Sequence, residues 1–230
     1  MSITSRPIDC CQVCNNKPLD SVLFLGFIPP VNTMPAVGSI PIEELAYPLE
    51  MLRCVNCGLV QIGLEVAPKV LFPESYPYLS GSTRILRSNF SNLRRESESL
   101  LQLTKEKLVI DIGSNDGTLL SNFHEAGYPV LGIEPSQAAD VAVSRGINTL
   151  KTYFNRDIAR KVACESGKAQ LITAANVFAH IGNIHSVVDG IVDLMDENGV
   201  FVSESHYLLD LVNTIQYDTI YHEHLRYHLS

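Results

Sequence analysis

Two pairs of cysteines near the start of the chain have the spacing of metal ligands. Cys11 and Cys14 form one CxxC pair, and Cys54 and Cys57 form a second. In a CxxC pair two thiolates converge on one tetrahedral zinc ion, while nearby backbone N–H groups donate hydrogen bonds to the sulfurs. Two such pairs supply four ligands and leave zinc no open position. The sequence therefore predicts a zinc ion that stabilises structure and takes no part in chemistry.

The remaining cysteines and one alternative need separate treatment. A redox dithiol is disfavoured, because two pairs are present and neither lies in a thioredoxin-like strand and helix. We expect Cys10 to be a bystander, although it would replace Cys11 if the register shifted. Cys164 lies in a helical pattern and is expected to be a small buried residue. Asn15 and Gly58, which follow the two pairs, suit the left-handed backbone that such turns often need.

A second cluster of reactive side chains lies close to the end of the chain. Residues 221–224 read YHEH and place a tyrosine, a carboxylate and two histidines in four positions. In an extended segment Tyr221 and Glu223 share one face, whereas in a helix Tyr221 and His224 come together. The alternative is a solvated polar segment. A second metal site, with His222 and His228 as further ligands, is disfavoured because the spacing does not suit a single zinc ion.

A glycine-rich turn in the middle of the chain has the composition of a nucleoside-binding site. The run LVIDI at residues 108–112 is a buried-strand pattern, and DIGSNDG at 111–117 leads from it into a helix. Strand, glycine turn and helix bring backbone N–H groups close to a ligand. Glu134 ends the next strand, 23 residues after Asp111, where an acid accepts hydrogen bonds from both ribose hydroxyls of a nucleoside.

The turn fits S-adenosylmethionine better than a dinucleotide. The dinucleotide fingerprint GxGxxG binds a pyrophosphate, whereas here Gly113 is a single lead glycine that follows the acid Asp111. Gly117 closes the turn. S-adenosylmethionine carries no phosphate but carries an ammonium group, which an acidic, carbonyl-rich turn attracts. An ordinary tight turn between strand and helix is the alternative.

Helices and strands alternate around these residues. Helices are predicted at 84–104, 118–126 and 137–145, and strands at 108–112, 130–134, 170–174 and 199–204. The alternation predicts an α/β fold with a parallel, doubly wound sheet. We expect a zinc-binding module at residues 1–72, with an irregular proline-rich excursion between its cysteine pairs, and a Rossmann-like cofactor domain at residues 73–230.

Charge and hydropathy narrow the class of protein. The 230 residues carry a net charge of −8, with 46% hydrophobic and 18% charged residues. An acidic chain is unsuited to general binding of nucleic acid backbones, which favour basic proteins. No apolar run reaches the roughly 18 residues of a membrane span, and residues 1–9 lack the apolar core of a signal peptide. We therefore expect a cytoplasmic protein that binds neither nucleic acid nor membranes.

A series of motifs in the chain resembles the sugar C-methyltransferases of deoxysugar biosynthesis, of which the tetronitrose C-3 methyltransferase is the best-known type. The motifs are the two CxxC pairs, SYPY at 75–78, DIGSNDG at 111–117, GIEPS at 132–136, ANVFAH at 175–180 and YHEH at 221–224. The resemblance runs from about Cys11 to the last residue. It implies a class I methyltransferase that uses S-adenosylmethionine to methylate a ring carbon next to the C-4 ketone of a nucleotide-linked 4-keto-6-deoxy sugar.

The same resemblance implies roles for individual residues. The implied cofactor set is Asp111, Gly113, Asn115, Gly117, Glu134 and Asn176. The implied substrate and catalytic set is Tyr76, His180, Tyr221, Glu223 and His224. Methylation of carbon requires removal of a proton alpha to a carbonyl, for which histidine is the usual base, and donors aimed at the enolate oxygen. We expect His224 to be the general base, with His180 second, and Glu223 to orient an imidazole or hold the sugar.

The chain departs from that family at its C-terminal end. A complete methyltransferase sheet has seven strands, whereas about five are expected here, and Ser230 comes six residues after His224. We expect a sheet that is incomplete at its C-terminal edge, either in a fragment, in a truncated gene product, or in a chain that a partner chain or a C-terminal domain completes. Two other functions stay open. One is methylation of oxygen or nitrogen in another small molecule, and the other is a non-catalytic fragment that binds zinc, with or without S-adenosylmethionine.

Overall fold

The computed structural model describes residues 4–33, 35–40, 43–72 and 78–228. Its strands are β1 Ser5–Pro7, β2 Leu19–Ile28, β3 Tyr47–Cys54, β4 Val60–Ile62, β5 Leu64–Val66, β6 Leu108–Ile112, β7 Val130–Ile133, β8 Thr149–Leu150, β9 Ala169–Ala175, β10 Met195–Glu204 and β11 Arg226–Tyr227. Its α-helices are α1 Pro68–Leu71, α2 Arg84–Leu101, α3 Thr118–Glu125, α4 Ala138–Ser144, α5 Arg156–Ser166, α6 Ile184–Leu194 and α7 Leu208–Asn213. Short 3-10 helices lie at Ser80–Ser82, Phe178–His180 and Tyr217–Thr219.

These elements form two compact units, which are described separately. The cysteine unit consists of Met1–Pro73, Ala179–Ile184 and Ser205–Ser230, and the parallel-sheet unit consists of Glu74–Phe178 and His185–Glu204. The first unit thus takes in two later stretches of the chain. The expected division into a module at residues 1–72 and a domain at residues 73–230 stays a prediction.

The parallel-sheet unit contains five strands in the order β10-β9-β6-β7-β8, and every neighbouring pair is parallel. Counted along the chain from β6, this is the order 3-2-1-4-5 of a doubly wound sheet, with helices connecting the strands. The predicted α/β fold with a parallel sheet is confirmed. The strand order reverses between β6 and β9, and ligands bind at the carboxyl ends of the strands at such a point.

Apolar side chains of strands and helices form the core of this unit. Leu119, Leu120 and Phe123 lie on the buried side of α3, and each is at most 1% exposed. They pack with Val109 of β6 and Phe90 of α2. Full burial of such a side chain contributes about 1.5–3 kcal/mol. Helix α3 is therefore held firmly against the strand that ends in the glycine turn.

The cysteine unit is built on an antiparallel sheet in the order β11-β4-β3-β2. Strand β11, from the far end of the chain, pairs with β4, so that Arg226 lies opposite Gln61. Tyr227 then packs with Leu49 of β3 and Ile62 of β4 in a common core. A separate two-stranded sheet joins β1 to β5. Between the cysteine pairs the chain forms β2 and β3, and the described residues that follow β2 and precede β3, 29–33, 35–40 and 43–46, lie outside any helix or strand.

The cysteine that lies outside the two CxxC pairs in the parallel-sheet unit is on the surface. Cys164 lies in α5 as predicted, but it is exposed, so the prediction of a buried residue is wrong. The buried residues of α5 are Ala159 and Val162, and a residue two positions after Val162 points about 200° around the helix from it.

Over the ranges that the structure describes, no helix combines the length and the apolar character needed to cross a membrane.

Asp116 fastens the glycine turn to its surroundings. Its side chain is fully buried, and its Oδ1 accepts hydrogen bonds from the backbone N–H and the hydroxyl of Thr118, at 3.2 and 2.6 Å. Its Oδ2 accepts from the backbone N–H of Gly81 at 3.1 Å and from Nη1 of Arg145 at 3.0 Å. One carboxylate therefore connects the turn, the start of α3, the 3-10 helix at Ser80–Ser82 and the residue after α4.

The Asp116→Ala variant tests this role. We expect it to lower the free energy of unfolding by about 2–4 kcal/mol, because it leaves buried N–H donors without an acceptor. The matched control is Asp140→Ala, which removes an exposed ion pair with Lys151 and should change the free energy by less than about 1 kcal/mol. Urea denaturation followed by circular dichroism measures both. Equal losses in the two variants would contradict the fastening role.

Candidate functional site

The two CxxC pairs form knuckles with the same backbone hydrogen bonding. The N–H of Asn15 donates to the carbonyl of Cys11 at 2.9 Å, and the N–H of Gly58 donates to the carbonyl of Cys54 at 3.0 Å. Asn15 has φ = 57° and Gly58 has φ = 77°. The predicted left-handed residues therefore close both knuckles.

The four thiols fit a tetrahedral zinc ion. All four sulfur atoms lie within 4.8 Å of one another. The Sγ atoms of Cys11 and Cys57 are 3.5 Å apart, and those of Cys14 and Cys54 are 3.6 Å apart. Sulfurs bonded to one zinc at about 2.3 Å in a tetrahedron are about 3.8 Å apart. Nδ2 of Asn56 lies 3.7 Å from Sγ of Cys14, which supplies the hydrogen bonding that thiolate ligands receive.

Two carboxylates are buried together at the ends of adjacent parallel strands. Asp111 lies in β6 and is 3% exposed, and Glu134 follows β7 and is 7% exposed. Burial raises the pKa of Asp111 to about 7, with a further contribution from the Glu134 charge, although the hydroxyl of Thr173 donates to Asp111 Oδ1 at 2.7 Å and opposes the shift. Among the described residues no lysine or arginine contributes to this pKa. The pair therefore suits a ligand with a cation and hydroxyl donors.

Glycines shape the space around these carboxylates. Gly113 has φ = +70°, and a Cβ at this position would lie 2.4 Å from Cγ2 of Val177. A Cβ on Gly132 would lie 2.4 Å from Oγ of Ser114, which is itself buried and receives no hydrogen bond from any described residue. Gly117, with φ = +74°, precedes the first residue of α3. The sites of Gly113 and Gly132 thus admit no side chain.

The side chain of Asn115, predicted to bind the cofactor, is fully engaged within the chain. Its Oδ1 accepts from the backbone N–H groups of Ser80 and Asp116, both at 2.9 Å, and its Nδ2 donates to the carbonyl of Tyr78 at 3.1 Å. Its own backbone N–H donates to Oε2 of Glu134 at 3.0 Å. The structure therefore gives Asn115 a fastening role, and its contact with the cofactor stays a prediction.

Asn176 lies at the carboxyl end of β9 in a left-handed conformation, with φ = 57°. Its Nδ2 donates to Oε1 of Glu204 at 2.7 Å, and its backbone N–H donates to the Glu204 carbonyl at 2.8 Å. The side chain is exposed. Asn176 thus lies next to the strand-order reversal, where its predicted cofactor contact remains to be tested.

Aromatic rings of the cysteine unit surround His224. The ring centroid of His224 lies 4.1 Å from that of Tyr221, 4.2 Å from that of His206 and 5.1 Å from that of His180. Residues 221–224 form a turn, in which the N–H of His224 donates to the Tyr221 carbonyl at 3.0 Å. Tyr221 and His224 therefore meet, as the helical alternative predicted, although the segment is a single turn. Tyr76 lies outside the described residues.

The tautomer of His224 follows from one hydrogen bond. Its Nδ1 lies 2.8 Å from the carbonyl oxygen of Thr219. A carbonyl accepts and does not donate, so Nδ1 carries the hydrogen and Nε2 carries the lone pair of the neutral ring. Burial lowers the pKa of His224 to about 4, with a contribution from His206, while the Thr219 hydrogen bond opposes the shift. Burial likewise lowers the pKa of His180 to about 3. Both rings are neutral at pH 7.

Glu223 is buried beside an amide that the sequence analysis did not identify. Its side chain is 4% exposed, and Nδ2 of Asn32 donates to its Oε1. Nδ2 of Asn32 also lies 3.4 Å from the Leu71 carbonyl. Burial raises the pKa of Glu223 to about 7. Its predicted role of orienting an imidazole or holding a sugar stays a prediction, and the contact seen here is with Asn32.

Arg226 is the largest fully buried side chain among the residues that the structure describes. Its Nη1 donates to Oε1 of Gln12 at 3.1 Å, and its Nη2 donates to the carbonyl of Ile181. Burial lowers the pKa of Arg226 to about 10, and the Glu65 charge opposes the shift. The side chain therefore stays charged at neutral pH and connects a cysteine knuckle to the segment that follows His180.

The fold and these residues define a class of protein. A parallel sheet in this order, an acidic glycine turn at its strand-order reversal and four clustered cysteines are the features of a class I methyltransferase fold with a zinc-binding module. The family model described as "Methyltransferase domain" matches residues 84–230. A second model, of a zinc binding domain, matches residues 11–72. The chain belongs to the methyltransferase domain family.

Individual proteins are also similar to this chain. The chain is 32% identical to the C-methyltransferase NovU of Streptomyces niveus over 223 residues, which is 96% of this chain and 53% of NovU. It therefore spans about half the length of that relative. Among solved structures, the plantazolicin methyltransferase BpumL with a desmethylPZN analog and SAH is 14% identical, with a TM-score of 0.49 over 64% of this chain and 57% of BpumL. The PH0226 protein of Pyrococcus horikoshii OT3 is 17% identical, with a TM-score of 0.49 over 66% of this chain and 69% of PH0226.

Replacement of cysteines one at a time tests the metal site. We expect the purified chain to contain one zinc ion, and Cys11→Ser to lose it and to unfold at a lower temperature, because a structural zinc contributes directly to folding. The matched control is Cys10→Ser, which should keep the metal, since the Cys10 sulfur lies outside the cluster. Atomic absorption spectroscopy measures the zinc. Retention of zinc by Cys11→Ser, with loss in Cys10→Ser, would place the ligand at the neighbouring position.

The Asp111→Asn variant tests whether the buried carboxylates form the cofactor site. We expect calorimetric titration with S-adenosylmethionine to show binding that weakens by about 10- to 100-fold in the variant, because a charged acceptor for the ammonium group is lost.

Although we expect Asp111→Asn to weaken cofactor binding, we do not expect it to lower the free energy of unfolding at neutral pH. The pKa of Asp111 is raised from 3.8 to about 7 in the folded chain, so the folded state binds the proton more tightly than the unfolded state. The free energy of unfolding therefore falls as pH rises from about 4 to 7. Asp111→Asn should thus be at least as stable as the parent above pH 7 and should lose this dependence. A variant that is less stable at pH 8 would indicate a purely structural role.

Proposed function

We propose that the protein transfers a methyl group to a ring carbon alpha to the ketone of a nucleotide-linked 4-keto-6-deoxy sugar, through an enolate. The observation that carries the proposal is the neutral imidazole of His224, whose Nδ1–H is bound to the Thr219 carbonyl. The ring of His224 lies in contact with the rings of Tyr221 and His180, and these two residue types carry O–H and N–H donors. The similarity to a protein named as a C-methyltransferase supports carbon as the acceptor.

The residues have separate tasks in this reaction. Bound S-adenosylmethionine supplies the electrophilic methyl group. Nε2 of His224 takes the proton alpha to the ketone, and the electrons of that C–H bond form the C=C bond of an enolate. The Tyr221 hydroxyl and an N–H of His180 are the donors proposed for the enolate oxygen. The enolate carbon then bonds to the methyl group, the S–CH3 bond breaks, and the sulfur keeps the electron pair.

The pKa of His224 suits a base that must be unprotonated at neutral pH. A pKa of about 4 leaves almost every His224 ring neutral at pH 7. The negative charge that develops on the enolate then favours the imidazolium formed by proton transfer. Glu223, with a pKa of about 7, is the group nearest in sequence that can add to this stabilisation. Asn32 favours its ionised form, because an amide N–H donates to a carboxylate.

Proton exchange without methylation distinguishes this function from its alternatives. Thymidine-diphosphate-linked 4-keto-6-deoxyglucose is incubated in D2O with the 230-residue chain and S-adenosylhomocysteine, which has no methyl group to transfer. We expect deuterium to enter the carbon alpha to the ketone, as seen by NMR, and His224→Asn to slow this exchange by at least about 10²-fold. The rate should fall as pH approaches 4, because protonation of His224 removes the lone pair.

The matched control is His124→Asn, at an exposed position of α3, which should exchange at the parent rate. A folded protein that binds S-adenosylmethionine but gives no exchange above the uncatalysed rate would contradict carbon methylation and favour transfer to oxygen or nitrogen. Absence of both exchange and cofactor binding would favour the non-catalytic alternative.

A further inference from the structure

His206 is a third imidazole beside the proposed base, and no sequence motif identified it. It follows β10 by two residues and is half-buried. Its ring centroid lies 4.2 Å from that of His224, with an angle of 30° between the ring planes. It also lies 4.8 Å from the ring centroid of Tyr227, at 60°. His206 therefore contacts the base with its ring and is itself held against β11.

The hydrogen bonds of His206 define its orientation. The backbone carbonyl of Arg226 accepts a hydrogen bond from its ring. Nε2 is buried, and no residue in the described ranges offers it a hydrogen bond. The hydrogen donated to Arg226 is therefore on Nδ1, and Nε2 carries a lone pair. The ring is thus fixed on strand β11, immediately after the turn that carries His224.

We infer that His206 is a positioning residue: its ring holds the plane of the His224 imidazole, so that Nδ1–H stays on the Thr219 carbonyl and the Nε2 lone pair stays available. The inference rests on the proposed function, in which His224 is the general base. It goes beyond that function, because His206 acts through His224 and needs no contact with the substrate.

Contact between two imidazoles differs from ordinary packing, because a charge on one ring disfavours a charge on the other. Among the described residues, the titratable rings in contact with His224 are those of His180, His206, Tyr221 and Tyr227. The charge of Arg226 acts on His180, and that of His228 acts on His206. The variant His206→Phe would keep the ring contact with His224 without the charge. The variant His206→Ala would remove the ring contact and the charge.

The tautomer of His224 is the first quantity to measure. In the 230-residue chain labelled with 15N-histidine, imidazole nitrogen shifts report the tautomer and the titration of each ring, and His224→Asn assigns the signals. We expect a single Nδ1–H tautomer for His224 in the parent and in His206→Phe, but a mixture of tautomers in His206→Ala. We also expect the His224 titration in His206→Phe to move up by about one pH unit, because the neighbouring charge is gone.

His124→Ala provides the matched control, since it removes an exposed histidine far from His224 in sequence and should leave the His224 signals unchanged. An unchanged tautomer in His206→Ala, together with an unchanged titration in His206→Phe, would overturn the inference. Should His206→Ala fail to fold, as judged by zinc content and circular dichroism, the titration in His206→Phe alone decides.

The exchange assay separates this inference from the proposed function. We expect His206→Ala to lower kcat for deuterium exchange by about tenfold with little change in KM, and His206→Phe to restore most of the rate at pH 8. A parent protein with the expected His224 tautomer and titration shift but no exchange would contradict the proposed function and leave the positioning role supported. Exchange at the parent rate in His206→Ala would overturn the positioning role.

Discussion

A single buried guanidinium holds together the parts of the chain that surround the proposed base. Arg226 binds Gln12 in a cysteine knuckle and the carbonyl of Ile181, and its strand pairs with β4. These three stretches are far apart in sequence, so no local propensity could bring them together. Burial of a charge costs free energy that hydrogen bonds from its N–H groups to fixed acceptors offset. His180 precedes Ile181, the acceptor of Arg226, and His224 lies two residues before Arg226 itself, so the positions of both histidines depend on its contacts.

The buried carboxylates of the parallel-sheet unit differ from Arg226 in what surrounds them. Asp111 and Glu134 lie together without a described cation, and the raised pKa of Asp111 shows that the folded chain disfavours its ionised form. Such an arrangement lowers stability in the free protein and is retained where a ligand supplies the missing charge. Arg226 donates to acceptors of its own chain, whereas the two carboxylates receive hydrogen bonds from the described residues but no positive charge. This contrast separates a structural charge from a binding site more clearly than burial does.

Local features could be read from the sequence, and contacts between distant residues could not. The knuckles, the glycine turn and the strand ends follow from spacing and periodicity, since each depends on residues a few positions apart. The turn at residues 221–224 was predicted only as a choice between two conformations, because four residues do not show a period. His206, Asn32 and Arg226 carry no motif, and their partners lie 18, 191 and 214 residues away in the sequence. The strand end before His206 was the one available signal, because parallel strands place ligand-contacting residues at their carboxyl ends.

The zinc site acts on the proposed chemistry only through structure. Four cysteine ligands complete the coordination of zinc, so the metal has no position for substrate or water. Its influence must pass through the knuckle itself, where Gln12 lies between Cys11 and Cys14 and accepts the hydrogen bond of Arg226. The backbone N–H of Gln12 donates to Gln61 of β4 at 2.9 Å, which lies opposite Arg226 in the sheet. A metal that fixes this knuckle thereby fixes the acceptor of the buried arginine, and through it the two segments on which the imidazoles lie.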